Sequence, residues 1–159
     1  MTVAISSDIE FYAIIGKAVS KAIDEVIERV FSVLQEEIRR DIYGAYTPKD
    51  YDRTEGLLEA WKHETSGLFG NIEFQPDMLP DNPDAFQHNS PYGWDVRDQI
   101  FDILEKGYGA YNYHTGKPIP RRPMWEDFLA KIDSKINRWI IIALRRQGLV
   151  LEEVQWISY

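Results

Sequence analysis

The chain has no cysteine among its 159 residues. Disulfides, zinc–thiolate sites and thiol chemistry are therefore all excluded. Long apolar runs are also missing, since the longest covers only 139–144, whereas a membrane-spanning helix needs roughly 18 residues or more. The N-terminal stretch lacks the basic residues that begin a secretory signal. We therefore expect a soluble protein that is made in the cytoplasm and has no membrane partner.

Positive charge is scarce, because 18 Lys and Arg stand against 26 Asp and Glu, which gives a formal net charge of −8. Duplex DNA is bound largely through basic side chains, so the chain is a poor candidate for a protein that holds DNA. Like charge can nevertheless let DNA pass a surface without sticking to it. What the chain has in excess is aromatic residues, including nine Tyr and five Trp.

The apolar pattern predicts an α+β fold in a single domain over residues 1–159. The expected architecture is a long N-terminal helix and a C-terminal helix packed on a small antiparallel β-sheet. Two segments rich in Pro, Gly and Asn, 77–94 and 108–122, are predicted to be long loops. The predicted elements, in order, are helix 8–40, strands 57–64 and 68–76, helix 94–107, helix 123–147 and a last strand at 149–159.

The first predicted helix has an unusually broad apolar surface. Residues such as Phe11, Ile15 and Val19 follow the helical spacing of three and four, and Ile14 widens the stripe. A helix on a protein surface normally has a narrower apolar face, so the width predicts contact with a second partner. Gly44 is predicted to end this helix in the left-handed conformation.

No pattern in the sequence indicates catalysis or metal binding. The three histidines are scattered and lack the spacing of helical metal ligands. Asp98, Asp102 and Glu105 share one face of a predicted helix, which is more often a solvated surface than a pair of catalytic carboxylates. Neither a phosphate-binding loop nor a nucleophile elbow is present. We therefore expect no catalytic residue, no metal ligand, no cofactor and no enzyme activity.

Aromatic residues concentrate in two places: Tyr43, Tyr46 and Tyr51 precede Trp61, and Tyr108, Tyr111 and Tyr113 lie in the second long loop. Tyr and Trp are common at protein interfaces, where one end of the side chain is buried and the other is wet. Stacking on nucleic acid bases would need a cationic groove beside the rings, and here acidic residues flank them. Interface contacts and ordinary packing both remain open.

Three short motifs follow the first predicted helix in a fixed order. The first motif consists of Arg53, Thr54, Gly56 and Leu57, with Glu55 inserted before the glycine. The second consists of Glu105 and Gly107. The third consists of Arg122 and Pro123, which are followed by Met124 and Trp125. Over about residues 8–147 the chain resembles the small tail-completion or head–tail joining proteins of long-tailed bacteriophages. That family has an Arg-Thr-Gly-x-Leu-like segment, a Glu-x-Gly turn and an Arg-Pro-Phe-like start to the last helix.

The resemblance implies a structural virion protein that assembles as a homo-oligomeric ring at the head–tail junction or tail end. Such a protein is made in the host bacterial cytoplasm and located in the virion. Its partners would be other neck, head or tail proteins, with DNA only as passing cargo. The residues expected at subunit contacts are Tyr46, Tyr51, Arg53, Trp61, Tyr108, Tyr111, Tyr113, Arg121, Arg122 and Trp125.

Two other interpretations remain open. An acidic protein-binding module, such as a DNA mimic that inhibits a nuclease, would need clustered acids, whereas the predicted helices mix Lys and Arg with Asp and Glu. A small hydrolase built on Asp98, Asp102 and His114 would need carboxylates with perturbed pKa values in a pocket.

Overall fold

The computed structural model of the chain describes residues 7–45, 55–79, 100–107 and 120–149. It confirms the predicted α+β fold, with a long N-terminal helix, a small two-stranded antiparallel sheet and C-terminal helices. Among the residues in these four ranges, no helix is both long enough and apolar enough to cross a membrane.

The elements follow one another in the predicted order. Helix α1 spans Asp8–Glu37 and continues into a π-helical segment, Ile38–Tyr43. A short helix, α2 (Gly56–Glu59), precedes strands β1 (Trp61–Ser66) and β2 (Phe69–Phe74), and a 3-10 turn follows at Pro76–Met78. The other described helices are α3 (Ile100–Lys106), α4 (Met124–Asp133) and α5 (Ile136–Arg146).

The chain divides into two compact units. The first comprises Met1–Phe31, His63–Ile72 and Ile132–Tyr159, and the second comprises Ser32–Lys62 and Glu73–Lys131. The expectation of a single domain over 1–159 stays a prediction.

In the first unit, the strands of the hairpin pack on α1. Nε2 of His63 lies 3.0 Å from Oε1 of Glu28, and the His63 ring lies over Phe31 with 4.4 Å between ring centroids. Gly70 makes the closest approach, because a Cβ atom there would lie 2.1 Å from Cγ1 of Ile27. Only glycine fits at position 70 without moving its neighbour.

The second partner of α1 in the first unit is α5. The Arg29 guanidinium lies over the Trp139 ring, 5.4 Å from its centroid, and Arg146 forms an ion pair with Glu25. Residue numbers rise along α5 while they fall along α1, so the two helices are antiparallel. The C-terminal end of α5 therefore points towards the N-terminal end of α1.

In the second unit, the end of α1 is buried together with α4. Leu34, Ile38 and Met124 are almost completely buried. Glu37 is also buried, and among the described residues it is the one charged side chain with that degree of burial. Its carboxylate accepts a hydrogen bond from Nζ of Lys131, and Nη2 of Arg40 lies 2.6 Å from Oε2. Two cations thus balance one buried anion.

The end of the first helix differs from the prediction at Gly44. Its φ of −75° is right-handed, so the predicted left-handed cap is wrong. The Gly44 amide donates instead to the carbonyl of Arg39 at 2.7 Å, five residues back, which extends the π-helical geometry. Glycine is still required, because a Cβ atom would lie 2.6 Å from the carbonyl oxygen of Arg40.

The hairpin prediction is confirmed, but the first strand begins at Trp61 and not at residue 57. Leu57 and Leu58 are both buried and lie in α2. Successive residues of a strand point to opposite faces, whereas a helical turn can bury adjacent residues against surroundings on two sides. The Leu58 amide donates to the Glu55 carbonyl and the Ala60 amide to the Gly56 carbonyl, both at 2.9 Å, so these backbone groups close a helical turn and do not pair with a strand.

The predicted helix 123–147 is interrupted. Helix α4 ends at Asp133 and α5 begins at Ile136, and the Lys135 amide donates to Ile132, three residues back, at 2.9 Å. That tighter turn breaks the α-helical pattern. Of the predicted helix 94–107 only the part from Ile100 is described, and the predicted last strand 149–159 lies outside the described residues apart from Leu149. Most of the two predicted loops, 80–94 and 108–119, also lies outside them.

Candidate assembly interface

The described residues of the three sequence motifs come together in the second unit, whereas Arg53 and Thr54 of the first motif lie outside the described residues. The amide of Arg122 donates to the carbonyl of Leu104 at 2.8 Å, and Nη1 of Arg122 lies 3.5 Å from the carbonyl oxygen of Ile42. The amide of Leu57 donates to the hydroxyl of Tyr43 at 3.1 Å. The end of the π-helical segment therefore joins the first motif to the third, and the third motif bonds to Leu104, the residue next to Glu105 of the second motif.

Glu105, in the second motif, caps α4. Its carboxylate accepts a hydrogen bond from the amide of Trp125, which lies in the first turn of the helix. Pro123, which precedes the helix, has no side-chain acceptor, so Glu105 supplies the acceptor from another helix. Burial raises the pKa of Glu105, the Trp125 amide lowers it, and nearby Glu126 raises it further.

The sequence predicted that Asp98, Asp102 and Glu105 form a solvated helix face, and among the described residues this holds for one of the two. Asp102 is exposed and forms an ion pair with Lys106 at 2.7 Å. Glu105 is half-buried and has the capping role, so for this residue the expectation is wrong. Asp98 lies outside the described residues.

Glu55, in the first motif, has left-handed backbone angles, with φ 53° and ψ 14°. Glycine adopts this conformation at little cost, and other L-residues do so rarely. Glu55 is the third of the five residues from Arg53 to Leu57, which is the place of glycine in an Arg-Thr-Gly-x-Leu pattern. The conformation favours an alignment in which Glu55 replaces the glycine, without the insertion inferred from the sequence.

An aromatic cluster supports this junction. The rings of Trp61 and Trp125 are stacked, with centroids 5.6 Å apart and planes 15° from parallel. Phe74 packs against Trp61, with 5.2 Å between centroids, and Phe128 packs against Trp125, with 5.1 Å between centroids. Trp61 is only 6% exposed, so nearly all of its surface is used within its own chain.

The outer side of α4 is more accessible. Trp125 is half-buried, and Leu129, one turn further along, is 48% exposed. Beside them Arg121 forms an ion pair with Glu126 at 2.5 Å and donates from Nε to the carbonyl of Glu105 at 3.1 Å. The α4 surface, defined by Arg121, Trp125, Glu126 and Leu129, is an apolar strip beside a fixed ion pair.

Leu129 was missed by the sequence interpretation. The helical spacing groups it with Phe128 and Ile132, which are buried, as core residues of one stripe. Two adjacent apolar residues differ by about 100° on a helix, and the periodicity alone does not say which one faces the core.

The predicted contact residues divide into two sets. Trp61, Arg121, Arg122 and Trp125 lie together at the motif junction described above. The remainder, Tyr46, Tyr51, Arg53, Tyr108, Tyr111 and Tyr113, lie outside the described residues. Within the described ranges no group of three or more His, Asp and Glu side chains is placed to hold a metal ion.

The first unit exposes apolar side chains as well. Ile9 and Tyr12, at the start of α1, are 82% and 71% exposed, and Phe69, at the hairpin tip, is 79% exposed. Phe11 and Ile14, which belong to the predicted broad apolar surface of the first helix, are 43% and 40% exposed, so that surface is partly uncovered by described residues near its N-terminal end.

The comparisons with known proteins identify the chain as a phage-associated protein. Residues 10–147 match the family model YomN, which represents a Bacillus phage SPBc2-type protein family. Because the match covers most of the chain, the chain belongs to the YomN family. A search of the curated proteins finds no match, and a search of the solved structures finds none either.

Proposed function

We propose that the chain is a structural virion protein of a tailed bacteriophage, without catalytic activity. It assembles as a homo-oligomeric ring at the head–tail junction or the tail end, in a tail-completion or connector role. Membership in a phage protein family supports the phage setting. The ring and its position rest on the resemblance to tail-completion and head–tail joining proteins.

The observation that carries the proposal is the meeting of the three motifs in the second unit. Each motif is short and is a weak indication alone. Leu57 bonds to Tyr43, and Arg122 bonds to Leu104 and approaches Ile42. Segments far apart in sequence therefore serve one junction, which gives the order of the three motifs along this chain a structural reason.

Exposed apolar surface also supports assembly. A ring made by head-to-tail contacts needs two different surfaces on each subunit. The α4 surface carries Leu129, and the start of α1 carries Ile9 and Tyr12, all of which are exposed. Exposed apolar groups of this kind often mark protein contacts.

The acidic-mimic interpretation is weaker, because many carboxylates are already paired with cations. Arg40 holds Asp41 with two hydrogen bonds of 2.6 Å and approaches Asp127 at 3.4 Å. Arg146 pairs with Glu25. A mimic of nucleic acid phosphates presents unpaired negative charge, so these ion pairs favour the structural role.

The α4 surface provides the test. We compare Leu129→Ser with Ala130→Ser, a matched control at the next exposed position of the same helix. Native mass spectrometry reports the assembly state of each purified chain, and complementation of a phage that lacks the gene reports function. Mass spectrometry of purified virions reports whether the unaltered chain is in the particle.

We expect the unaltered chain in the virion at a fixed copy number, and Leu129→Ser to weaken assembly and complementation while melting remains unchanged. Ala130→Ser should resemble the unaltered chain. Absence of the protein from purified virions would contradict the proposed function. Normal assembly of Leu129→Ser would remove the α4 surface from the ring contact.

A further inference from the structure

The side of α1 that contacts α5 extends towards the N-terminus of α1, beyond the last residue that contacts α5. Glu25 and Arg29 make the α5 contacts. Going towards the N-terminus, the helical spacing of three and four places Ala18, Ile14 and Phe11 on the same side. This docking line, defined by Phe11, Ile14 and Ala18, is apolar throughout.

The docking line is only partly covered by the described part of the chain, since Ala18 is half-buried and the other two residues are exposed. Phe11 is 43% exposed and Ile14 is 40% exposed, although Ala22, further along the helix, is buried. Lys17 and Lys21, which are both exposed, flank the line one turn from Ile14 and Ala18. An apolar strip with cations at its side fits an occupant that is apolar and acidic.

The chain that follows α5 has this chemistry. Residues 150–159 read VLEEVQWISY, so Glu152 and Glu153 stand between the apolar pair Val150 and Leu151 and the residues around Trp156. Because α5 is antiparallel to α1 and its last residue, Arg146, pairs with Glu25, the chain leaves α5 beside the middle of α1.

The segment is long enough to reach the docking line. From Glu25 to Phe11 the helix rises about 21 Å, at roughly 1.5 Å per residue. Ten extended residues span about 33 Å, at roughly 3.3 Å each. In an extended conformation, Glu152 and Glu153 would pass close to Lys17, and Trp156 would arrive near Phe11.

We propose that residues 150–159 dock along the N-terminal part of α1 in the same chain. They cover Phe11, Ile14 and Ala18, and Glu152 and Glu153 pair with Lys17 and Lys21. The apolar contacts supply most of the affinity, because surface ion pairs are individually weak. The role of the two ion pairs is to fix the direction of the segment along α1. This proposal does not depend on ring assembly or on a virion role.

The absence of native cysteine permits a sharp test, since two introduced thiols are the only ones present. The test chain carries Ile14→Cys with Val154→Cys, and the control carries Ala13→Cys with Val154→Cys. Ala13 is exposed, and it lies about 100° around the helix from position 14, away from the docking line. Both full-length chains are oxidised at low concentration.

We expect the Ile14→Cys chain to form a disulfide within one chain at least several-fold faster than the Ala13→Cys chain. Equal rates, or no disulfide in either chain, would overturn the proposal. Disulfide-linked dimers from the Ile14→Cys chain would also overturn it, because they would show that a second copy occupies the docking line.

Hydrogen exchange gives an independent readout on the full chain without cysteine. Trp156→Ser should speed exchange of the α1 amides between Tyr12 and Ala18 several-fold, whereas Ser158→Ala should leave their rates unchanged. Equal exchange in Trp156→Ser and the unaltered chain would reject the docked segment.

Discussion

The main-chain amide of Trp125 donates a hydrogen bond to the side-chain carboxylate of Glu105. This bond caps α4 with an acceptor from α3, because the residue just before α4 is a proline. It also gives the second motif a physical role, which is to fix the start of the helix that carries the α4 surface.

Replacing Glu105 separates the hydrogen bond from the charge. We expect Glu105→Ala to lower the free energy of unfolding by about 1 kcal/mol, the usual cost of a lost helix cap. Glu105→Gln keeps a side-chain oxygen that can accept from the Trp125 amide, so its effect at neutral pH should be small. Urea denaturation measures both variants, and equal stability of the alanine and glutamine variants would contradict the capping role.

The pH dependence of stability should carry the signature of Glu105. Burial raises the pKa of this carboxyl in the folded chain above its value in the unfolded chain. At pH values between the two, the folded state therefore binds more protons than the unfolded state does. Stability contributed by this group is therefore lost as pH rises through that range. Glu105→Gln should lack this component of the pH profile. An unchanged profile in the glutamine variant would show that other groups produce it.

Glu55 holds a conformation that glycine adopts more easily. The left-handed conformation costs an L-residue about 1–2 kcal/mol. Glycine avoids that cost, but it lowers stability by about 0.4–1 kcal/mol because it gives the unfolded chain more conformational entropy. We expect Glu55→Gly to raise the free energy of unfolding by about 0.5–1 kcal/mol on this difference. The control is Glu59→Gly in α2, which should destabilise. Thermal unfolding that shows both variants destabilised would contradict the left-handed assignment.

Gly70 allows β2 to approach α1 closely. An added methyl group would overlap Ile27, so Gly70→Ala should destabilise by about 1–3 kcal/mol, as overpacking does. In an Ile27→Ala background the same change should cost much less. Gly16→Ala is the matched control: nothing lies within 4 Å of its added Cβ, and alanine should stabilise this helical position by about 1 kcal/mol. Additive effects at positions 27 and 70 would rule out the contact.

Two cations share the buried carboxylate of Glu37. Either Lys131→Met or Arg40→Met leaves one cation in place, so each change should cost only about 1 kcal/mol. The double variant leaves a buried charge without a partner and should cost about 3–5 kcal/mol. Lys135→Met, at an exposed site, is the control. A double variant whose cost equals the sum of the single costs would show that the two cations act independently.

The sequence predicted the elements that depend on local spacing. The hairpin around Gly67, the long first helix and the approximate place of α4 follow from apolar periodicity and turn residues. The start of β1 could not be placed in this way, because the helical turn at Leu57 and Leu58 depends on the burial of both side chains. That burial is set by the rest of the fold.

The candidate site was predictable only as a set of motifs. Their order identified the segments, but the bond from Trp125 to Glu105 joins residues whose proximity no local pattern specifies. Leu129 was grouped with the core for the same reason, since spacing gives a face of the helix and not its surroundings. The contact roles of Trp61, Arg121, Arg122 and Trp125 stay predictions.

The π-helical segment Ile38–Tyr43 has a consequence for how this family can vary in length. A π-helical turn holds more residues than an α-helical turn, so deletion of one residue there would restore ordinary α-helical winding. Glu37 and Tyr43 could then keep their partners while the helix became one residue shorter. Relatives of this chain should therefore tolerate single-residue gaps between these two positions, where an uninterrupted α-helix would lose its register.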